Sequence, residues 1–420
     1  MNLFKLSWKY LTFRPLSTAL NVFLLALGLA IITVLLLIQD QFEKKMNKDA
    51  AGIDLVVGAK GSPLQLILAG VYHIDFPTGN IPMEEAQKLS RNRLVKNIIP
   101  MALGDNFQGF RIVGTNHDYP ALYEAKIENG ELWQKPFEVV LGVEVAEKSG
   151  FKVGDEFLGS HGISEGSHEH DANKFKVVGV LERKGNVLDR LILTSVESIW
   201  YTHDEGESGS QDSIANHEEH HLVDLTKSVA IKGFPKTTES RDLTTLLIQY
   251  RNPMAAIQLP RLINSGTSMQ AASPSFEMSR LFELLGVGIT LLQGLAVVII
   301  GISGLGIFIA LYNSLKERKY DLAILRALGA SRSQLLLLIF LEGIMMTFMG
   351  AILGILLGHT FLSAIISQNE QGVVGSLQPW IFLKQELWIV VYALVVGVLA
   401  SIIPAFAAYQ TSIAKQLTKA

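Results

Sequence analysis

The sequence predicts an α-helical membrane protein with four transmembrane helices plus a mixed α+β extracytoplasmic domain inserted between helices 1 and 2. Three observations support this fold class. Hydrophobic residues make up 49% of the 420 residues, yet the central region is as polar as a soluble domain. Four apolar runs reach the roughly 20 residues that cross a hydrocarbon core about 30 Å thick. Finally, the basic residues that flank these runs favour one side of the membrane.

The chain opens with a short amphipathic segment, residues 1–16, which we expect to be cytoplasmic. It carries Lys5, Lys9 and Arg14 ahead of the first apolar run. Basic residues before an apolar run also occur in signal peptides, but no small-residue cleavage site follows here. We therefore expect residues 17–38 to form an uncleaved first span.

Residues 39–280 are predicted to fold as one external α+β domain. Short β-branched and aromatic runs predict strands, at Asp54–Val57, Phe110–Val113, Phe137–Leu141, Phe175–Leu181, Leu191–Thr194 and Ser228–Ile231. Near-helical spacing of apolar residues predicts helices at Met83–Leu94 and Arg241–Gln249. Acidic residues outnumber basic ones in this domain and no basic stripe occurs, which argues against nucleic acid as a partner.

Two polar loops in this domain, residues 159–173 and 203–221, are rich in histidine and carboxylate residues. Imidazole together with carboxylate suits zinc, so these loops predict weak metal capture, with a solvated loop that binds nothing as the alternative. The candidate ligands are His161, His168, His170, His203, His217, His220 and His221. The run 217–221 also satisfies the H-E-x-x-H pattern of zinc proteases, but that chemistry needs a packed helix, which the flanking sequence does not favour.

The remaining segments alternate between membrane and water. The predicted order is span two at 284–312, a cytoplasmic connection at 313–333, span three at 334–362, an external loop at 363–386, span four at 387–408 and a cytoplasmic tail at 409–420. Basic residues cluster in the N-terminal segment, the connection and the tail, so both termini are predicted inside and the large domain outside. Span two is longer than a bilayer requires, and it contains no charge.

The connection contains the run ERKYDLAILRALGAS, residues 317–331, in which charge and apolar residues alternate. Leu322, Leu325 and Leu328 recur every three residues, which predicts an amphipathic helix. Gly329 then predicts its end, and Ser331 with a glutamine three residues later predicts a capping box that starts span three. Such a helix rests on lipid, connects two spans in solvent, or docks into a partner.

Span three carries two further features. Gly350, Gly354 and Gly358 lie four residues apart, where small side chains let helices approach closely. Glu342 lies well inside the same span, and a charge near mid-membrane costs on the order of 2.5–3.5 kcal/mol on insertion scales. We therefore expect Glu342 to face protein, water or the interface, with a proton relay as the alternative.

At these residues the sequence resembles a known family. The run ERKYDLAILRALGASRSQLLLLIFLEG, the three glycines that follow it and Ile403-Pro-Ala-Phe-Ala-Ala-Tyr409 closely resemble ABC transporter permeases of the MacB, FtsX and lipoprotein-release (LolC and LolE) type. Val139–Asp155 resembles the external domain of that family. The four spans, with the large domain between the first two, match its topology as well.

The resemblance implies a bacterial inner-membrane protein whose connection is a coupling helix seated on a dimeric cytoplasmic ATPase. The implied coupling residues are Glu317, Arg318, Asp321, Leu322, Leu325, Arg326, Leu328 and Gly329. No G-x-x-x-x-G-K-[ST] loop occurs, so we expect ATP and Mg to bind a separate subunit, and expect this chain to be non-catalytic with no cofactor except the zinc considered above. Two ATPase subunits imply two permease copies, either as a homodimer or with a related permease.

Three functions therefore remain from the sequence. The first is a transport subunit that couples ATP hydrolysis to substrate handling at the periplasmic face. The second is the same machine linked to zinc through the histidine-rich loops. The third is an FtsX-like signalling permease that regulates an envelope enzyme or sensor through a periplasmic protein partner.

Overall fold

The structure is a computed structural model that describes residues 3–161, 174–207, 228–237, 240–368 and 377–410. It divides into two compact units. A helical unit contains Met1–Phe42 and Leu284–Ala420, and a sheet unit contains Glu43–Glu283. The predicted fold class is confirmed: four helices are long and apolar enough to cross a membrane, and the α+β domain is inserted between the first and second of them.

In the part of the chain that the structure describes, the helical unit is built from six helices. Short helices are α1 (Leu3–Phe13) and α10 (Lys319–Ala327), and the long apolar ones are α2 (Pro15–Asp49), α9 (Pro274–Glu317), α11 (Arg332–Gln368) and α12 (Glu386–Tyr409). Three of the long helices extend well past the predicted spans, because polar residues at their ends continue the helical hydrogen bonding. At 1.5 Å per residue, the 44 residues of α9 span about 66 Å.

Small residues let the long helices of this unit pack closely. A Cβ atom added at Gly28 of α2 would lie 2.7 Å from a side-chain carbon of Ile300 on α9. A Cβ at Gly397 of α12 would lie 2.3 Å from the hydroxyl of Thr347 on α11. Around these contacts, leucine, isoleucine and methionine side chains from all six helices form one buried apolar core.

The sheet unit contains one sheet of eleven strands within the described residues. Nine of them follow the order β13-β1-β12-β3-β4-β10-β6-β9-β5, with β7 on β9 and β8 on β3. Their bounds are β1 Leu55–Ala59, β3 Val95–Phe107, β4 Phe110–Thr115, β5 Ile127–Gly130, β6 Glu138–Leu141, β7 Glu156–Phe157, β8 Ser160–His161, β9 Phe175–Leu181, β10 Leu191–Ser195, β12 Thr245–Tyr250 and β13 Met269–Ala272. The pairs β4–β10 and β6–β9 are parallel, and the others are antiparallel.

Short helices and a small ribbon complete this unit. The ribbon pairs β2 (Ile81–Pro82) with β11 (Asp242–Leu243). The helices are α3 Pro63–Gly70, α4 Met83–Ser90, α5 Asp118–Leu122, α6 Val143–Ser149, α7 Val196–Glu207 and α8 Ala255–Gly266, with a 3-10 turn at Val187–Arg190. Alternate side chains of the central strands, which lie on one face of the sheet, pack with residues of α4, α7 and α8 to form an apolar core.

Two predicted elements of this domain are wrong. Arg241–Gln249 forms β11 and β12 instead of a helix, because Thr245 to Ile248 are buried on both faces between β1 and β3. Ser228–Ile231 is irregular instead of a strand. The Val229 N–H donates to the carbonyl of Gln134, and the Ala230 N–H donates to the carboxylate of Glu197. These two hydrogen bonds go to different segments and do not form a strand ladder.

The end of α2 that belongs to the sheet unit is held by buried polar contacts. Asp49 is fully buried, and its Oδ2 lies 3.3 Å from Nη2 of Arg190. The hydroxyl of Tyr123 donates to the carbonyl of Asp49, and that of Tyr72 donates to the carbonyl of Met46 at 3.3 Å. These contacts fix the last turn of α2 against the strands and loops of the sheet unit.

Candidate functional site

The candidate coupling segment forms α10, which is separated from α9 by Arg318 alone. Gly329 follows the helix with a left-handed φ of 102°, which a residue without a side chain adopts easily. Ser331 and Gln334 then form the reciprocal capping box that the sequence predicts. Ser331 Oγ accepts from the Gln334 N–H at 3.2 Å, and Gln334 Oε1 accepts from the Ser331 N–H at 2.8 Å.

The two faces of α10 have different surroundings. Leu322 and Ala323 are buried in the core of the helical unit, and Leu325 packs against that core. On the opposite side Tyr320 is 48% exposed and Leu328 is 80% exposed. Of the three leucines in the predicted stripe, Leu322 is therefore buried, Leu325 is half-buried and Leu328 is the most exposed.

The exposed side of α10 is mixed in chemistry. Tyr320, Ile324 and Leu328 lie four residues apart and form one apolar stripe, while Asp321 beside them is also exposed. Lys319 and Arg326 of the same helix are half-buried, so α10 carries both signs of charge beside its apolar stripe. The composition of this face suits contact with a partner protein and contact with a membrane surface alike.

The base of α10 is tied to the interior of the helical unit through Arg318 and Glu342. Arg318 Nη1 lies 3.1 Å from Oε1 of Glu342 on α11, and the two side chains are 17% and 1% exposed. The guanidinium carbon of Arg318 also lies 4.1 Å from the ring centre of Tyr10 on α1. Glu342 therefore faces protein, as expected, and its partner is Arg318, the residue that separates α9 from α10.

Helix α1 supplies further contacts to this end of the unit. Arg14, directly after α1, pairs with Glu317 at the end of α9. Ser7 is buried and its hydroxyl donates to the carbonyl of Leu338 on α11 at 3.3 Å. The N-terminal segment thus braces both helices that hold α10. Burial of the Tyr10 hydroxyl raises its pKa above the usual value, with Arg318 opposing that shift.

The remaining predicted coupling residues lie at the edge of this site. Arg326 is half-buried and Gly329 is exposed in the turn that follows the helix.

Sequence reasoning missed Tyr10, Arg14 and Ser7, because partners some 300 residues away leave no local pattern. The amphipathic character of residues 1–16 was the one available signal that this segment packs against something.

The three predicted packing glycines of α11 lie against α2. A Cβ atom added at Gly350 would lie 2.8 Å from Leu25, and one at Gly354 would lie 2.8 Å from the Cβ of Leu29. One at Gly358 would lie 2.8 Å from Thr33. A side chain at Gly354 or Gly358 would require the two helices to move apart, and one at Gly350 would require the Leu25 side chain to shift.

The predicted zinc ligands are mostly outside the described residues. His168, His170, His217, His220 and His221 lie in segments that the structure does not describe, and only the backbone is described at His161 and His203. Among the residues that the structure does describe, no group of three or more metal-binding side chains comes together. The zinc site stays a prediction.

The fold defines a class: a multi-pass membrane protein with an α+β domain inserted between the first two of the long apolar helices that the structure describes. Comparison with family models agrees. The MacB-like periplasmic core domain matches residues 18–235, and the FtsX-like permease C-terminal region matches residues 294–413. The chain belongs to the MacB and FtsX-like family of ABC transporter permeases.

Individual relatives are distant. An uncharacterized ABC transporter permease, MJ1507 of Methanocaldococcus jannaschii, is 24% identical over 55% of this chain and 52% of its own length. The pyoverdine export ATP-binding/permease protein PvdT of Pseudomonas syringae pv. tomato is 22% identical over 86% of this chain and 52% of its own length. The chain therefore spans about half the length of these relatives.

Two solved structures are similar to part of the chain. The periplasmic region of MacB from Actinobacillus actinomycetemcomitans is 13% identical with a TM-score of 0.34, covering 56% of this chain and 97% of that region. The extracellular domain of the transporter YknZ from Gram-positive bacteria is 13% identical with a TM-score of 0.30, covering 53% of this chain and 99% of that domain.

Proposed function

We propose that this chain is the membrane subunit of an ATP-driven transporter and that α10 transmits movement from a cytoplasmic ATPase dimer. In this proposal both termini and α10 face the cytoplasm of a bacterium, and the sheet unit faces the periplasm. The chain itself is non-catalytic, and ATP with Mg binds an ATP-binding partner or domain outside this sequence. The main support is the exposed stripe Tyr320, Ile324 and Leu328 on a helix whose other face is anchored in the protein.

Anchoring matters because a coupling element must move as one body with the spans. The buried pair of Arg318 with Glu342 and the capping box at Ser331 hold both ends of the connection. A displacement of α10 would therefore be passed to α9 and α11 instead of being absorbed by a flexible loop.

Helix α9 supplies a direct connection in the chain to the sheet unit. It begins two residues after β13 and ends two residues before α10, with no break over its 44 residues. A continuous helix resists compression along its axis, so we infer that α9 carries movement between the coupling segment and the sheet. We expect substrate to be handled at the periplasmic face, because four spans per copy leave little room for a wide pore.

Two ATPase subunits require two coupling helices, so we propose a second permease copy, either identical or related. The name of PvdT joins ATP-binding and permease functions in one protein, and this chain matches about half of it. That match supports an ATP-binding element beyond the present sequence without indicating whether it is a separate polypeptide.

The test is co-purification of an ATP-binding protein with the tagged chain from native membranes, quantified by mass spectrometry. Leu328→Asp places a charge on the exposed stripe and should reduce recovery of the ATPase at least tenfold. Ile257→Asp on α8 is the matched control, since Ile257 is 59% exposed in the sheet unit and should leave recovery unchanged. Leu325 is unsuitable because it packs against the core. Equal recovery with Leu328→Asp would disprove the docking role.

The zinc-linked and signalling functions stay predictions from the sequence. The first requires heat of zinc binding by calorimetry at micromolar metal. The second requires a periplasmic protein that is captured by the sheet unit, with no transported compound. Neither outcome would affect the test of ATPase docking.

A further inference from the structure

A buried histidine lies near the end of α11 that is remote from α10. His359 is fully buried, and its two ring nitrogens have different partners. Nδ1 lies 2.6 Å from the carbonyl oxygen of Pro379, and Nε2 lies 3.1 Å from Oε2 of Glu386. The ring of Trp380 stacks parallel to the imidazole at 5.7 Å, and that of Phe382 lies 4.5 Å away.

The partners fix how many protons this site holds. A carbonyl oxygen only accepts, so Nδ1 of His359 must carry a hydrogen and donate to Pro379. The contact between Nε2 and Glu386 then needs one more proton, either on the imidazole or on the carboxyl. Oε1 of Glu386 accepts from the Leu383 N–H at 2.8 Å, so the additional proton lies between Nε2 and Oε2.

Loss of that proton would turn the attraction between Nε2 of His359 and Oε2 of Glu386 into repulsion. Nε2 would then present a lone pair to a carboxylate oxygen, and the pair would keep one buried negative charge without a counter-charge. Both effects are repulsive, and burial weakens the screening that water gives elsewhere. The contact therefore exists only while the proton is bound.

The described part of the connection between α11 and α12, residues 377–385, is held by hydrogen bonds at three points, and one of them needs the proton. Gln41 of α2 binds Gln378 through two hydrogen bonds, of 3.0 Å and 2.8 Å. Glu386 binds the Leu383 N–H at the start of α12, and His359 binds Pro379 between these two points. Release of His359 would leave the middle of residues 377–385 attached only at its ends.

Few other charges lie on the elements that pack here. Residues 343–368 of α11 contain no acidic or basic side chain besides His359. The connection carries Lys384, which is exposed, and Glu370, which lies outside the described residues; α2 carries the half-buried Asp40 next to Gln41. On α12 the one charged residue is Glu386 itself. Among the residues that the structure describes here, the proton on the His359 and Glu386 pair is thus the main variable charge.

We propose that His359 and Glu386 form a proton-binding site that fastens residues 377–385 to α11. Binding of one proton from solvent closes the contact, and its release frees the segment that carries Trp380 and Phe382. This inference does not depend on the docking of an ATPase, because none of its residues belongs to α10.

The test uses the absence of cysteine in this chain. A nitroxide spin label is attached to Ile381→Cys in the purified full-length protein in lipid nanodiscs, and its mobility is measured from pH 5 to pH 9. We expect an immobile label at low pH and at least a threefold larger mobile fraction at high pH. Fluorescence of Trp380, isolated as the difference from Trp380→Phe, is a second measurement of the same change.

Two variants separate the proposal from a purely structural role. Glu386→Gln keeps both bonds without a titrating proton, since its amide oxygen accepts from Leu383 and its amide nitrogen donates to neutral His359. It should hold the label immobile at every pH. His359→Leu, which has no hydrogen-bonding side chain, should give a mobile label at every pH. Two results would overturn the proposal. One is a label on Ile381→Cys whose mobility does not change with pH, and the other is a label whose mobility changes with pH in the Glu386→Gln variant as much as it does without that substitution.

Discussion

Removal of Arg318 tests the anchoring of the coupling helix. In Arg318→Met the carboxylate of Glu342, 1% exposed, loses the partner that lies 3.1 Å away. Breaking a buried ion pair from one side costs about 3–5 kcal/mol. We expect about 3 kcal/mol, because Arg318 itself keeps 17% exposure and some water already reaches the site. That is roughly a 150-fold change in the unfolding equilibrium.

The double variant Arg318→Met with Glu342→Met makes this prediction specific. An apolar pair of similar volume removes the uncompensated charge, so it should recover most of the lost stability, to within about 1 kcal/mol of wild type. Arg14→Met is the matched control for an exposed pair, since Arg14 and Glu317 are 40% and 56% exposed, and it should cost less than about 1 kcal/mol.

The assay for these variants is denaturant titration of the purified protein in detergent, followed by tryptophan fluorescence. A loss below 1 kcal/mol in Arg318→Met would refute the reasoning. A double variant that costs the sum of the two single ones would also refute it, because the residues would then act independently.

Two further predictions follow from the packing. Burial lowers the pKa of His73 to about 3, and the nearby Arg190 and Arg111 add to the shift. The unfolded chain therefore binds a proton more readily than the folded one, and the sheet unit should lose stability as the pH falls from about 6.5 towards 3. His73→Asn, which suits the left-handed φ of 53°, should flatten the pH dependence of the unfolding midpoint. Gly354→Ala should cost about 1–3 kcal/mol by overpacking against α2, whereas Gly286→Ala, with no atom within 4 Å of the added Cβ, should be neutral or stabilising in the same titration.

The membrane spans and several strands could be predicted because each depends on a local pattern. The apolar runs identify the four long helices, and β-branched runs such as Phe175–Leu181 coincide with observed strands. Arg241–Gln249 failed because a strand buried on both faces shows no alternation, so periodicity cannot separate it from a helix. The ends of the long helices could not be predicted from hydropathy. Polar segments such as Gln39 to Asp49 of α2 are helical because of how they pack, and the hydropathy of the apolar run gives no information about that packing.

The candidate site was predictable in place but not in detail. The glycine after the coupling helix and the capping box follow from residue types within a few positions, and both are observed. Which leucine faces outward depends on the core that buries Leu322, and the partner of Glu342 lies 24 residues earlier, at a break between two helices. Contacts of this kind are decided by the tertiary fold.

The most direct test of the account is the sidedness of α10. Ala327 is exposed, and the chain has no cysteine, so Ala327→Cys can be labelled with a membrane-impermeant thiol reagent without background. We predict labelling in inside-out vesicles only, whereas Ile257→Cys in the sheet unit should be labelled in intact spheroplasts only. Labelling of Ala327→Cys from the exterior would place the coupling helix on the wrong side for a cytoplasmic ATPase and would contradict the account.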